Sequence, residues 1–117
     1  MSRVFVIIDQ KHKDRNTGEF VSRFDFSSAA EYGELIFLLE PNAIARDPQV
    51  NGDLADALSD VTDEDYILPV GSPLLILLTG LYAGMNEDLT KLNILEWERD
   101  RTDRTQGRYI PTTLPIL

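Results

Sequence analysis

The chain has no cysteine and a single histidine. Disulfides, thiolate metal sites and a cysteine nucleophile are therefore excluded. His12 stands between Lys11 and Lys13 in a polar stretch and reads as a solvated loop residue. A hydrolase triad would have to be built on that one ring, and a single imidazole is a poor metal site. Nothing at the N-terminus resembles a secretory leader. Met1-Ser2-Arg3 leads straight into an apolar run, so an unsecreted, intracellular soluble protein is expected. No internal repeat, low-complexity segment or interdomain linker is present, and 117 residues suit one domain with a core of its own.

Positive charge is also scarce where it would matter most. The formal net charge is −9. Residues 1–30 carry +1, residues 31–65 carry −9 with Arg46 as their one base, and residues 66–117 carry −1. A field of that sign repels nucleic acid at long range and favours a basic partner or simple solubility. Asp53, Asp56, Asp60, Asp63, Glu64 and Asp65 are the candidate partner-binding residues.

Charge is missing altogether from Tyr66 to Asn86, the stretch around which the chain is organised. Tyr66 to Val70 is short and apolar, as in a strand covered on both faces. Gly71 permits a tight turn, Ser72 is a good N-cap, and Pro73 suits a first helical position that needs no N–H. Leu74 to Ala83 is apolar almost all round, which predicts a buried helix, and Gly84 stops it. A membrane span is not expected. Pro69, Gly71 and Pro73 interrupt the stretch, and the unbroken helical part is only about 11 residues, or about 16 Å.

Elsewhere, Val4 to Ile8 predicts a strand. Glu19 to Phe26 predicts another, with Phe20, Phe24 and Phe26 on one face, and the two together suggest a long-looped hairpin. Ser27 to Gly33 reads as one helical turn capped by serine. Glu34 to Leu39 is a strand that Pro41 ends. Asp47-Pro48 caps a helix whose Val50, Leu54, Ala57, Leu58 and Val61 share a face, with Asp53, Asp56 and Asp60 turned outward. Leu92 to Glu98 is a strand, and Arg108 to Leu114 is an edge strand marked by Pro111 and Pro115. The fold class expected is a single α/β domain over residues 1–117. Its mixed sheet has a parallel β-α-β-α-β middle, antiparallel hairpin strands at the ends, and mobile loops at 9–19 and 99–107.

Four segments carry a resemblance. They are Tyr32-Gly33-Glu34-Leu35; Asp63-Glu64-Asp65-Tyr66-Ile67-Leu68-Pro69-Val70-Gly71-Ser72-Pro73; Leu92-Asn93-Ile94-Leu95-Glu96-Trp97-Glu98-Arg99; and Arg108-Tyr109-Ile110-Pro111. Together they resemble a family of small uncharacterised proteins of tailed bacteriophages and prophages, over about residues 31–117. Ser72 stands where the family often has aspartate, and both residues cap helices. The segments 100–107 and 11–24 look longer than usual. The resemblance implies a phage context, hence host cytoplasm or virion, and no catalytic residues.

The chemistry available is correspondingly thin. Asp63, Glu64, Asp65, Glu96 and Glu98 could offer oxygens to a hard cation. Their spacing is not that of an EF-hand, however, and the cluster precedes its strand rather than following it. Gly71-Ser72-Pro73 could hold phosphate at a helix N-terminus, but it has one glycine and a proline that removes a donor. Trp97 and Tyr109 flank the basic connection of Arg99, Arg101, Arg104 and Arg108 and could stack on a base, or simply on each other. No metal or other cofactor is expected. The function expected is a non-enzymatic phage accessory protein acting by protein–protein contact: with a host protein through the acidic face, with the virion, or with itself. The alternatives are a structural virion component, or a small nucleotide-binding or metal-dependent enzyme using the Gly71 turn.

Overall fold

In the computed structural model, which describes residues 2–22, 25–103 and 106–116, the main sheet has five strands. In chain order the elements are β1 (Arg3–Ile8), β2 (Lys11–Lys13), β3 (Phe20–Ser22), a 3-10 helix (Ser27–Tyr32), β4 (Glu34–Leu39), α1 (Pro48–Leu58), β5 (Tyr66–Leu68), α2 (Pro73–Gly84), β6 (Lys91–Arg99) and β7 (Gly107–Pro115). The sheet order is β4-β1-β5-β6-β7. β4, β1, β5 and β6 run parallel, while β7 returns antiparallel along β6 with Leu95 opposite Pro111 and Trp97 opposite Tyr109. The mixed α/β class is as expected, with the proline-bearing strand at the edge.

One pairing differs from expectation. β1 does not form a hairpin with the segment after Gly18. It lies between β4 and β5, parallel to both, with Val4 to Ile8 all buried. The cause is in its side chains. Val4-Phe5-Val6-Ile7-Ile8 has no polar face to give to water, so both faces must be covered, and that happens only inside a sheet. The segment 19–26 contributes the short strand β3, which pairs with β2 in a separate two-stranded ribbon where Phe20 is 71% exposed. Arg23 and Phe24 of that expected strand, and Arg104 of the basic connection, lie outside the described residues.

Right-handed crossovers explain the two layers. The steps β4 to β5 and β5 to β6 run the same way along the sheet, and their helices pack on one face over Phe5, Ile7, Ile67 and Leu92. The step β1 to β4 runs the other way, and its 3-10 helix lies on the opposite face, where Phe26 and Ala29 join Val4, Val6, Leu68 and Leu95. This helix is not capped by serine. The Ser27 N–H donates to Asp25 Oδ1 at 2.9 Å, because a carboxylate two residues earlier reaches the free donor first.

The helix ends follow the local chemistry. Asp47 accepts from Gln49 N and Pro48 opens α1, which buries Val50, Leu54 and Leu58. Ser72 Oγ accepts from Leu75 N at 3.3 Å and Pro73 opens α2. Gly71 before it has φ +140°, a conformation that L side chains rarely adopt. Tyr82 Oη donates to Asn51 Oδ1 at 2.7 Å and ties α2 to α1. Asn86 Nδ2 donates to the Leu58, Ser59 and Val61 carbonyls and closes the end of α1.

α2 is not the interior helix that its composition predicts. Only Leu75, Thr79 and Ala83 are buried, with Leu78 and Tyr82 half-buried. Leu77 is 70% exposed, Leu81 58% and Met85 68%, and Leu74 and Ile76 are also exposed. A layer of two helices covers the sheet beneath it, and among the described residues nothing covers the layer. The buried stripe and the Tyr82–Asn51 hydrogen bond hold α2 in place, so the architecture does not depend on its outer face.

Candidate functional site

The six acidic residues separate into two sets. Asp53, Asp56 and Asp60 face solvent on and just after α1, and Glu64 is exposed in the following turn. Asp53 accepts from Gln49 Nε2 at 2.8 Å, a bond along the exposed side of the helix. Asp65, by contrast, is 2% exposed, so this expected partner-binding residue is not presented outward. Its Oδ1 accepts from the Arg3 backbone N–H at 2.9 Å and from Arg3 Nε at 3.3 Å. Its Oδ2 accepts from Arg3 Nη2 at 2.9 Å, Thr62 N at 2.8 Å and Thr62 Oγ1 at 3.0 Å. Burial alone would raise the Asp65 pKa. The Arg3 and Thr62 hydrogen bonds outweigh it and hold the carboxyl below its ordinary value, while Asp65 raises Arg3.

Asp63 is also engaged within the fold. It accepts from Thr90 N at 2.8 Å and Thr90 Oγ1 at 2.6 Å, and these bonds lower its pKa. Asn93, buried on β6, donates to the Asp63 and Asp65 carbonyls and accepts from Thr113 Oγ1 on β7. One polar network thus joins β1, β5, β6 and β7 at the amino end of the parallel strands. The acidic turn belongs to the frame of the sheet at Asp63 and Asp65, and only Glu64 and the α1 aspartates are presented outward.

The carboxyl end of the same strands holds a different surface. An open cleft of about 830 Å³ lies beyond β5 and β6, floored by Phe26, Leu68, Leu95 and Tyr109 and bordered by Gln10, Asp25, Ser27, Trp97 and Gln106. Ligands of open α/β sheets gather at this end, beside the point where strand order reverses. That reversal lies between β1 and β5 here. It could not be read from the sequence, because it exists only once β1 is placed in the middle. Trp97 and Tyr109 meet edge to face with centroids 4.9 Å apart, so they are cross-strand partners. Tyr32 Oη donates to the Tyr109 carbonyl at 3.0 Å and anchors β7 to the 3-10 helix. Asp9, directly after β1, accepts from Ser22 Oγ at 2.8 Å through Oδ2, while its buried Oδ1 has no partner among the described residues.

The Gly71-Ser72-Pro73 turn is filled by the fold itself. A Cβ at Gly71 would stand 3.1 Å from Ile8 Cγ2 and 3.4 Å from Leu75 Cδ1, and the Ser72 hydroxyl is already taken as a helix cap. Among the described residues no cluster of three His, Cys, Asp or Glu could hold a metal ion, and no helix is long and apolar enough to cross a membrane.

The third surface is the outer face of α2. Leu74, Ile76, Leu77 and Leu81 project from it around Gly80 and Gly84, Met85 at the C-cap extends it, and no charge stands anywhere on the helix. Ile44, 61% exposed, adjoins Leu74 across a groove that both residues line.

A family model described as Phage Pam3 gp32-like protein matches residues 2–116. The chain belongs to this phage family. No curated protein and no solved structure matches it. The gp32-like match takes in all five strands of the sheet and both helices, so the polar network, the cleft and the α2 face all fall inside the matched region. Membership sets the gp32-like chain among bacteriophage proteins and brings no activity with it.

Proposed function

We propose that this gp32-like chain is a phage accessory protein that works by docking to protein rather than by catalysis. The observation that carries the reading is the outer face of α2, where four large apolar side chains of one uncharged helix lie together with Met85 at its C-cap. A contiguous apolar surface of this kind marks an interaction site more often than it decorates a free monomer. The Gly71 turn supports the same reading, since its space and its serine hydroxyl serve the fold rather than a phosphate.

A second contact rests on Asp53, Asp56, Asp60 and Glu64, whose outward carboxylates offer a ridge to a basic host or virion protein. The test is affinity capture from phage-infected cells with three baits: wild type, Leu77→Glu/Leu81→Glu, and Asp53→Lys/Asp56→Lys/Asp60→Lys. Loss of a specific partner in the leucine variant supports docking through α2, and loss in the lysine variant at low salt supports the acidic ridge. Equal recovery by all three, or thermal stabilisation of the wild type by nucleotides or divalent ions, would overturn the reading.

A further inference from the structure

Resting on the docking reading above, we infer that the occupant of the α2 face is a second copy of this chain, so that the protein is an isologous dimer with α2 packed on α2. Three observations carry this. The first is area. The exposed parts of Leu74, Ile76, Leu77, Leu81 and Met85 amount to roughly 500 Å², already near the largest patch a monomer shows. With Ile44, Pro73, Gly80 and Gly84 the face reaches roughly 700 Å², close to the ~800 Å² per partner of a standard interface.

The second is shape. Gly80 and Gly84 are one turn apart, and the space where each Cβ would stand is open. They form a furrow between Ile76 on one side and Leu77 and Leu81 on the other. A two-fold axis through such a furrow sets the ridge of each copy into the furrow of its mate, as self-complementary interfaces require, and glycine lets the backbones close in. The third is charge. A basic partner would be drawn to the acids, yet the region from Tyr66 to Asn86 has no charge at all. An uncharged, self-matching face lets two chains that each carry −9 meet without setting like charges across the contact. Their mutual repulsion is long-range and screened by salt, so the dimer tightens as salt rises, opposite to binding by a basic partner.

The experiment is sedimentation equilibrium of the full chain from about 1 to about 100 µM, at low and high salt. Wild type is expected to reach twice the chain mass, at lower concentration when salt is added. Leu77→Glu/Leu81→Glu is expected to stay monomeric with unchanged far-ultraviolet circular dichroism. Gly80→Leu, which only fills the furrow, is expected to weaken association at least tenfold. Because the natural chain lacks cysteine, Gly80→Cys gives a unique thiol that should oxidise to a crosslinked dimer, while Asp56→Cys on α1 should not. A wild type that is monomeric at every concentration and salt overturns the inference, as does a dimer that survives Leu77→Glu/Leu81→Glu. Binding of wild type, but not of that variant, to phosphatidylcholine vesicles also overturns it, by assigning the face to lipid. Docking in general fails separately, through the capture experiment with the same variant.

Discussion

Replacing Asp65 with alanine removes the acceptor for five hydrogen bonds and one partner of the Arg3 ion pair. Breaking a fully buried ion pair costs about 3–5 kcal/mol. Here the Arg3 side chain keeps 32% of its exposure, so water takes up part of the freed charge and the low end applies. The Arg3 and Thr62 backbone donors add to the loss where water cannot reach them. A total of about 3 kcal/mol is expected, with about 2 for Asp65→Asn, which keeps one acceptor oxygen. Arg3→Ala should cost less, because the Thr62 N–H and hydroxyl and the backbone N–H of residue 3 still meet the carboxylate.

Acid should erase the difference. The folded pKa of Asp65 lies below its unfolded value, so its contribution is complete above the unfolded pKa of about 3.9 and is lost as pH falls through the folded one. Urea denaturation of wild type and Asp65→Asn at neutral pH, and then in steps from about pH 5 downward, measures both effects. The stability gap should be full at pH 5 and above and should shrink below about pH 4. A neutral-pH gap under about 0.5 kcal/mol, or a gap that stays constant to the lowest pH at which the protein is folded, would refute the account of this network.

Three further outcomes are expected. Leu54→Ala opens a cavity at a fully buried position between α1 and the sheet and should cost about 3 kcal/mol, read from the urea midpoint at unchanged slope. Ser72→Ala removes the α2 cap and should cost about 1 kcal/mol by the same measurement, whereas Ser72→Asp should retain most of the stability. Gly52→Ala, whose new Cβ meets nothing within 4 Å, should stabilise the protein by up to about 1 kcal/mol and raise its melting temperature.

What could be read along the chain was whatever depends on a few neighbouring residues. Asp47-Pro48 and Ser72-Pro73 cap as expected because a cap is a bond across two or three positions. The prolines of β7 placed it at an edge because a missing N–H is a local fact. What escaped depends on distant partners. Asp65 is buried because Arg3, sixty-two positions earlier, meets it, and nothing near Asp65 announces that. The place of β1 was signalled weakly by its unbroken apolar run, but a pairing partner cannot be named from one strand alone. The composition of α2 says how apolar it is and not how much protein is available to cover it, so its outer face was taken for interior. The candidate acidic residues can be read along the chain as a concentration of charge, but their division into frame and surface needs the Thr62, Thr90 and Arg3 contacts.

The position of β1 bears on how the chain is made. It leaves the ribosome before both of its flanking strands, β4 and β5, and the second of these ends at Leu68. At roughly 5–20 residues per second, five apolar side chains wait unpaired for several seconds of synthesis. During that interval the nascent segment is a sticky thread open to wrong contacts, and a synonymous-codon slowdown between residues 40 and 66 should lengthen the wait and lower the yield of native protein.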